Sequence, residues 1–343
     1  MRSIRDVARL AGVSFTTVSH VLNGTRKVSE SAHERVMRAV HEINYVPSAL
    51  ARSLRVSKTR TLGVLVPDIS NPFCSEITLG IEDGARQADY SVVLGNTGQE
   101  GDQQTHQIKN MLSQRVDGLL LVAGIFDHSR LVQALAKIRM PVLLIDHEAI
   151  EMSADWLQMD QFHAALLATQ HLLTLGHRRI ACLSGPAFVA ISQERVRGWR
   201  QGLADAGIEP ESDWSREGDF SIESGYGYGM QCLPQRRVSA VLACNDMMAM
   251  GVLRAAAKLG LSVPTELSVV GIDGIEMGGY AYPALTTVGD SLKVVGKQAA
   301  DMLIERIEHP NLESRRVRRS SQLILRESTG PASPLPREFP DEQ

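Results

Sequence analysis

The sequence predicts an all-α head of three short helices arranged as a helix-turn-helix unit with a hinge helix, followed by an α/β body of two lobes built on doubly wound parallel sheets. Three observations carry this expectation. At 343 residues the chain is too long for one ordinary core and suits a small module plus a large two-lobed domain. Capped amphipathic segments fill roughly the first 46 residues. From Thr61 onward, short apolar runs alternate with helical stretches, the texture of βαβ units. The expected divisions are 1–46 for the head, 47–60 for the hinge helix and linker, 61–330 for the body and 331–343 for a flexible tail.

In the head, Ser3 is a helix cap, and Ile4, Val7, Ala8 and Ala11 follow at the offsets of one face. Gly12 breaks that helix. Ser14 caps a second, whose Val18, Val21 and Leu22 turn inward and leave Phe15, Thr16, Thr17, Ser19 and His20 on other faces. A third helix starts after Ser29 with Glu30 in its first turn, carries Val36, Val40 and Ile43 on one stripe, and ends before Pro47.

Many small three-helix modules that never meet DNA show such stripes, so charge has to discriminate. The overall formal charge is −3, yet residues 1–60 hold 11 Lys+Arg against 4 Asp+Glu, a balance of +7, which leaves −10 for the remainder. A basic head on an acidic body points to a polyanion that meets the head alone. On the second helix, Thr16, Thr17 and His20 offer hydrogen bonds to base edges in a major groove, and Phe15 offers a surface for a thymine methyl. Arg26 and Lys27 beyond it suit phosphates or bases. The segment after Pro47-Ser48 has a helical start signal but is too short to be stable alone; it is either a helix formed with outside help, with Leu54 free to wedge into a minor-groove step, or a solvated linker.

In the body, seven apolar runs read as strands: Leu62–Val66, Ser91–Gly95, Gly118–Val122, Val142–Ile145, Ile180–Ser184, Val238–Ala243 and Leu267–Ile272. Ligands of doubly wound folds bind at the carboxyl ends of strands, so the cleft between lobes is the expected site. Asp146, Asn245-Asp246 and Asp273 each follow a strand there; Phe73 or Phe220 supplies an apolar face for a polyhydroxyl ligand, and Arg195 a forked donor. Asn and Asp at such positions also serve as helix caps, the role expected of Asp246. The loop Ala187–Gln193 is hydrophobic.

Against catalysis stands the lack of a nucleophile motif, a metal-spaced His/Glu set or a phosphate-binding Gly-rich loop, so no cofactor or metal is expected. His171 and His177 fall at a helix end and a turn, as surface or capping residues. Gly225–Gly229 (GYGYG) lies where a helix after Ile222 is expected and is odd there, because glycines weaken helices. Cys74, Cys182, Cys232 and Cys244 show no paired short spacing and read as reduced, mostly buried thiols. No apolar run spans a bilayer and no signal peptide is evident, so a soluble cytoplasmic protein is expected.

The stretches IRDVARLAGVSFTTVSHVLN (Ile4 to Asn23), Val28-Ser29-Glu30 and YVPSALARSL (Tyr45 to Leu54) resemble the lactose and galactose repressor family. The resemblance implies base reading by Phe15, Thr16, Thr17 and His20, a groove or backbone contact by Arg26, and intercalation of Leu54; Arg55 is also expected among the DNA-binding residues. It extends to about residue 328, where it implies a periplasmic sugar-binding fold with chain crossovers near 160 and 288. It implies effector contacts by Asn71-Pro72-Phe73, Arg195, Phe220, Asn245 and Asp273, and Asp146, at its strand end, is expected to join them. Within the family, ATQHLL, GHRRIAC, CNDMMAMG and YPALTTVG are most similar to ribose-operon repressors. Purine-responsive members carry polar and basic residues where this chain has Val189 and Ile191, which argues for a sugar. The expected function is a repressor of transcription, a homodimer on a palindromic operator released by a small sugar, ribose. Dimerisation is expected through Glu76–Ala88 and residues after Asp102, and the tail has no leucine heptads for a tetramer. The alternatives are another sugar or a purine as effector, or a sugar-binding transport protein.

Overall fold

Helices α1 (Ile4–Ala11), α2 (Phe15–Asn23) and α3 (Glu30–Glu42) build the head. The computed structural model describes residues 3–24, 26–45, 58–98, 101–122, 133–135, 138–147, 154–235 and 237–333. The chain divides into two units, Met1–Thr59 and Arg60–Gln343. At the start of α1, the Ser3 backbone N–H and hydroxyl both donate to Asp6 Oδ2, at 2.9 and 2.8 Å. Gly12 ends α1 at φ 63°, a left-handed conformation that favours glycine. Ser14 Oγ then accepts the Thr17 N–H at 3.1 Å to start α2. Val7, Ala8, Ala11, Val18, Val36 and Ala39 form the core beneath. Ser19, expected on an outer face, is buried, because it shares the inward stripe of α2 with Val18 and is small enough to lie against its neighbours.

The body contains two six-stranded sheets. In the first lobe the order is β11 (Arg316–Arg319), β5 (Asp155–Met159), β4 (Val142–Ile145), β3 (Gly118–Val122), β1 (Thr61–Val66), β2 (Ser91–Asn96), all parallel. In the second it is β12 (Gln322–Ile324), β10 (Thr286–Gly289), β9 (Ser268–Asp273), β8 (Ala240–Ala243), β6 (Ile180–Ser184), β7 (Ser215–Glu217), with only β12 antiparallel. The expected two-lobed α/β architecture is present, with twelve strands among the described residues rather than seven. The five unexpected strands lack a continuous apolar run: β11 reads RVRR and β7 reads SRE, edge strands whose side chains partly face water. The chain also passes between lobes three times instead of two, after β5, after β10 and between β11 and β12.

Helices pack over these sheets in pairs. The pairs are α4 (Pro72–Gln87) with α10 (Leu292–Glu308), α6 (Gln161–Thr174) with α7 (Ala190–Asp205), and α8 (Ile222–Cys232) with α9 (Asp246–Lys258). Each pair meets backbone to backbone at glycine. A Cβ on Gly80 would lie 2.1 Å from Lys293 O, one on Gly198 2.2 Å from Phe162 O, and one on Gly225 2.1 Å from Met248 O. The GYGYG run therefore has a packing reason, since Gly229 similarly faces Ala255.

Two buried polar clusters fasten the lobes. Asp155, fully buried at the start of β5, takes both Arg306 nitrogens at 2.7 and 2.9 Å and Arg315 Nη2 at 3.0 Å. Burial opposes its charge, but these donors hold its carboxyl below the usual range. His177, expected at the surface, is buried: its ring nitrogens pair with Ser239 Oγ at 2.9 Å and with Ser268 Oγ and Gly330 O at 3.0 Å, tying β8, β9 and the chain beyond β12. Burial lowers its pKa, so it is a neutral structural residue. His171, half-buried, pairs with Thr329 Oγ1 at 2.9 Å.

Candidate functional site

A cavity of about 190 Å³ opens between the lobes, and every residue lining it lies at or beyond the carboxyl end of a strand. Pro67, Asp68, Asn71 and Phe73 follow β1, and Asp146 follows β4. Val189, Ile191 and Arg195 follow β6; Asp219 and Phe220 follow β7; Asn245 follows β8, and Asp273 ends β9. All six residues expected to contact an effector thus converge on one space.

Their geometry differs from an open set of ligand groups. Arg195, on α7, is 4% exposed and gives Nε to Gln161 Oε1 at 2.7 Å, Nη1 to the Cys244 carbonyl and Nη2 to Asp273 Oδ1 at 2.9 Å. It is a strut across the cavity floor rather than a free fork. Gln161, the first residue of α6, passes the link to the other lobe by donating to Asp146 Oδ2 at 2.9 Å, while Asp146 Oδ1 accepts the Met159 N–H at 2.7 Å. Asn245 caps α9 by accepting the Met248 N–H at 2.9 Å and donates to Phe220 O at 2.9 Å.

Asp246, expected to be the cap, is instead a buried tie. Its carboxylate accepts the Gly274 and Ile275 N–H groups, each at 2.9 Å, and the Thr287 hydroxyl. Gly271 makes room for it, since a Cβ there would lie 2.1 Å from Asp246 Oδ1. The hydrophobic loop is also shorter than expected, because α7 begins at Ala190; only 187–189 remain outside it, with Phe188 72% exposed.

Backbone strain collects at this cavity. Asp146, Phe220 and Asp273 have φ of 49°, 69° and 133°, conformations disfavoured for residues with a Cβ. The turn at Phe220 lays its ring over Gly185, where an added Cβ would come within 2.0 Å. Burial pushes the Asp146 carboxyl up to about 6, against the opposing pull of the Met159 N–H, Arg195 and Gln161. Burial likewise raises Asp273, in spite of Arg195, with Asp246 adding to the rise.

On the head, Phe15 is 51% exposed and Thr16 and Arg26 are exposed, whereas Thr17 and His20 are half-buried. The Thr17 hydroxyl lies 2.8 Å from Ser14 Oγ, so it is engaged in the cap. Leu54 and Arg55 lie outside the described residues. Gln161, Asp68 and Asp219 were not legible as site residues. Gln161 follows a strand, DWLQM, whose pattern hides it, and the two acids sit in loops rich in turn formers.

A capped helix-turn-helix head and a two-lobed α/β body with a cavity at the carboxyl edges of its sheets define a class of protein: a DNA-binding transcription regulator with a ligand-binding domain. The family model for bacterial regulatory proteins of the lacI family matches residues 3–48, and that for periplasmic binding proteins and the sugar binding domain of the LacI family matches residues 59–327. The chain belongs to the LacI family of transcriptional repressors. It is 38% identical to the HTH-type transcriptional repressor PurR of Vibrio vulnificus over 96% of this chain and 98% of that one. It is 36% identical to the ribose operon repressor of Haemophilus influenzae over the same shares. The crystal structure of the lac repressor dimer bound to operator and the anti-inducer ONPF matches with a TM-score of 0.86 and 30% identity, covering 96% of this chain and 99% of that one.

Proposed function

We propose that this protein is a cytoplasmic homodimeric repressor that holds a palindromic operator and releases it when a small sugar, ribose, occupies the cleft. The observation that carries the reading is the cavity itself, whose lining combines the buried Asp146, Asp273 and Asn245 with Phe73 and Phe220, acceptors for hydroxyls and a surface for the apolar face of a sugar. The ribose operon relative supports the choice of sugar.

Base reading is assigned to Phe15, Thr16, Thr17 and His20, with Arg26 on phosphate or base and Leu54 and Arg55 at the minor groove. For the dimer, α4 spends its Gly80 and Gly84 face on α10 and leaves Leu79, 50% exposed, on the outward face with Glu82 and Asp83. Helix α5 (Gly101–Ser113) adds Leu112, and the second lobe adds Tyr280 and Tyr282, 90% and 95% exposed. Ligand-driven rotation of the lobes then couples the cleft to the operator as linked equilibria.

A purine effector is the second reading, favoured by the PurR relatives. Val189 and Ile191 count against it, because they present hydrocarbon where a purine's ring nitrogens need partners. A gel-shift titration of the full chain on its own upstream DNA, with ribose or hypoxanthine at millimolar concentration, decides between them. Release by ribose is expected. No specific band sinks the repressor reading, and a response to hypoxanthine alone replaces the sugar with a purine.

A further inference from the structure

The charges lining the cleft restrict its ligand more tightly than its shape does. Four carboxylates reach the cavity: Asp146 and Asp273 deep within it, Asp68 from one lobe and Asp219 from the other. Both of the latter are exposed, so they stand at the mouth. Among the described lining residues the one cation is Arg195, which spends three of its five N–H donors on protein acceptors and pairs its charge with Asp273. An incoming phosphate or carboxylate therefore meets a guanidinium whose charge is already offset by Asp273, with further carboxylates beside it.

The hydrogen-bonding capacity leans toward acceptors. The four carboxylates offer acceptor oxygens, while the neutral donors among the described lining residues are the Asn71 and Asn245 amides and the Ser221 hydroxyl, with one Asn245 N–H already given to the Phe220 carbonyl. A cavity of about 190 Å³ is smaller than the roughly 300–1,000 Å³ usual for drug-sized ligands, which suits a single ring.

Resting on the reading of this cleft as the effector site, we propose that it selects single-ring ligands that are rich in hydrogen-bond donors and carry no negative charge. It takes a neutral polyol or its amino derivative and rejects the phosphorylated and carboxylated forms of the same ring. Asp68 and Asp219, one on each lobe, form an acidic gate: as the lobes close on a ligand the two charges gather around it, which an anion opposes and an ammonium favours.

The test is the melting temperature and calorimetric affinity of the full-length protein against matched sets: ribose with ribose 5-phosphate; glucose with glucosamine, glucose 6-phosphate and glucuronate; and hypoxanthine as a neutral purine. The ring that binds is expected to do so about tenfold or more tightly in its neutral or aminated form than in its anionic forms, because the carboxylates at the cleft repel a like charge. In Asp68→Asn/Asp219→Asn, where the amide oxygens preserve the turn hydrogen bonds to Ser70 and Ser221, that ratio is expected to shrink several-fold. An anion binding as tightly as its neutral partner overturns the proposal, as does an unchanged ratio in the double variant or a panel in which nothing raises the melting temperature. Binding of glucose in place of ribose, with the anions still excluded, upholds the charge rule and removes only ribose; binding of hypoxanthine alone, a fused two-ring base without hydroxyls, overturns the proposal.

Discussion

At the scale of single residues, Arg195 shows how a correct site residue can play an unexpected part. Its position was legible in the sequence; its pairing was not, because its partners Gln161, Cys244 and Asp273 lie 34, 49 and 78 positions away. The same holds for Asp146, whose oxygens accept from Met159 on the neighbouring strand and from Gln161 beyond the crossover. With the Asp146 carboxyl raised to about 6 by burial, the folded state retains a proton between about pH 4 and 6 that the unfolded state has lost. Its contribution to stability therefore falls as pH rises through that window, and the full cost, on the order of 2–3 kcal/mol, is present above it. Asp146→Asn removes this titration. Urea unfolding at pH 4.5 and pH 8 is expected to show wild type losing more stability over that rise than the variant; equal losses contradict the assignment.

At the scale of elements, the apolar runs and caps predicted most strands and all three head helices, since those signals are local. The GYGYG helix was anticipated but unexplained, because intrinsic propensity counts its glycines as weaknesses. Packing reverses the sign at some positions only. Gly225→Ala places a methyl against the Met248 carbonyl and is expected to cost roughly 1–3 kcal/mol. Gly227, two residues on, has nothing within 4 Å of its added Cβ, so Gly227→Ala is expected to be neutral or to stabilise by up to about 1 kcal/mol. Chemical denaturation of the two variants separates packing from propensity. Similar shifts in both contradict the backbone-contact explanation. Charged edge strands such as β11 were missed for the converse reason: they gain their place from neighbours, not from their own hydrophobicity.

At the scale of the molecule, the division of charge at residue 60 assigns DNA to the head, and exposed apolar groups on both lobes underlie the proposal that the body self-associates. Tyr282, 95% exposed, is a stringent probe of the latter, since its removal disturbs no packing within the chain. Tyr282→Asp is expected to shift sedimentation toward the monomer and weaken operator binding at least tenfold while leaving the melting temperature of the body within a few degrees. An intact dimer in that variant moves the interface to the Leu79 and Leu112 faces.

By itself the sequence determined the fold class, the capped helices of the head, the basic head on an acidic body and the strand ends from which the cleft residues project. Helix period, capping, βαβ alternation and charge are all written within a few residues of one another. Only the tertiary structure decided that Arg195 is a strut, that Asp246 ties loops instead of capping α9, that Gln161 links the lobes and that the chain crosses between them three times. Each of these depends on which distant segments meet, and no local pattern specifies that meeting.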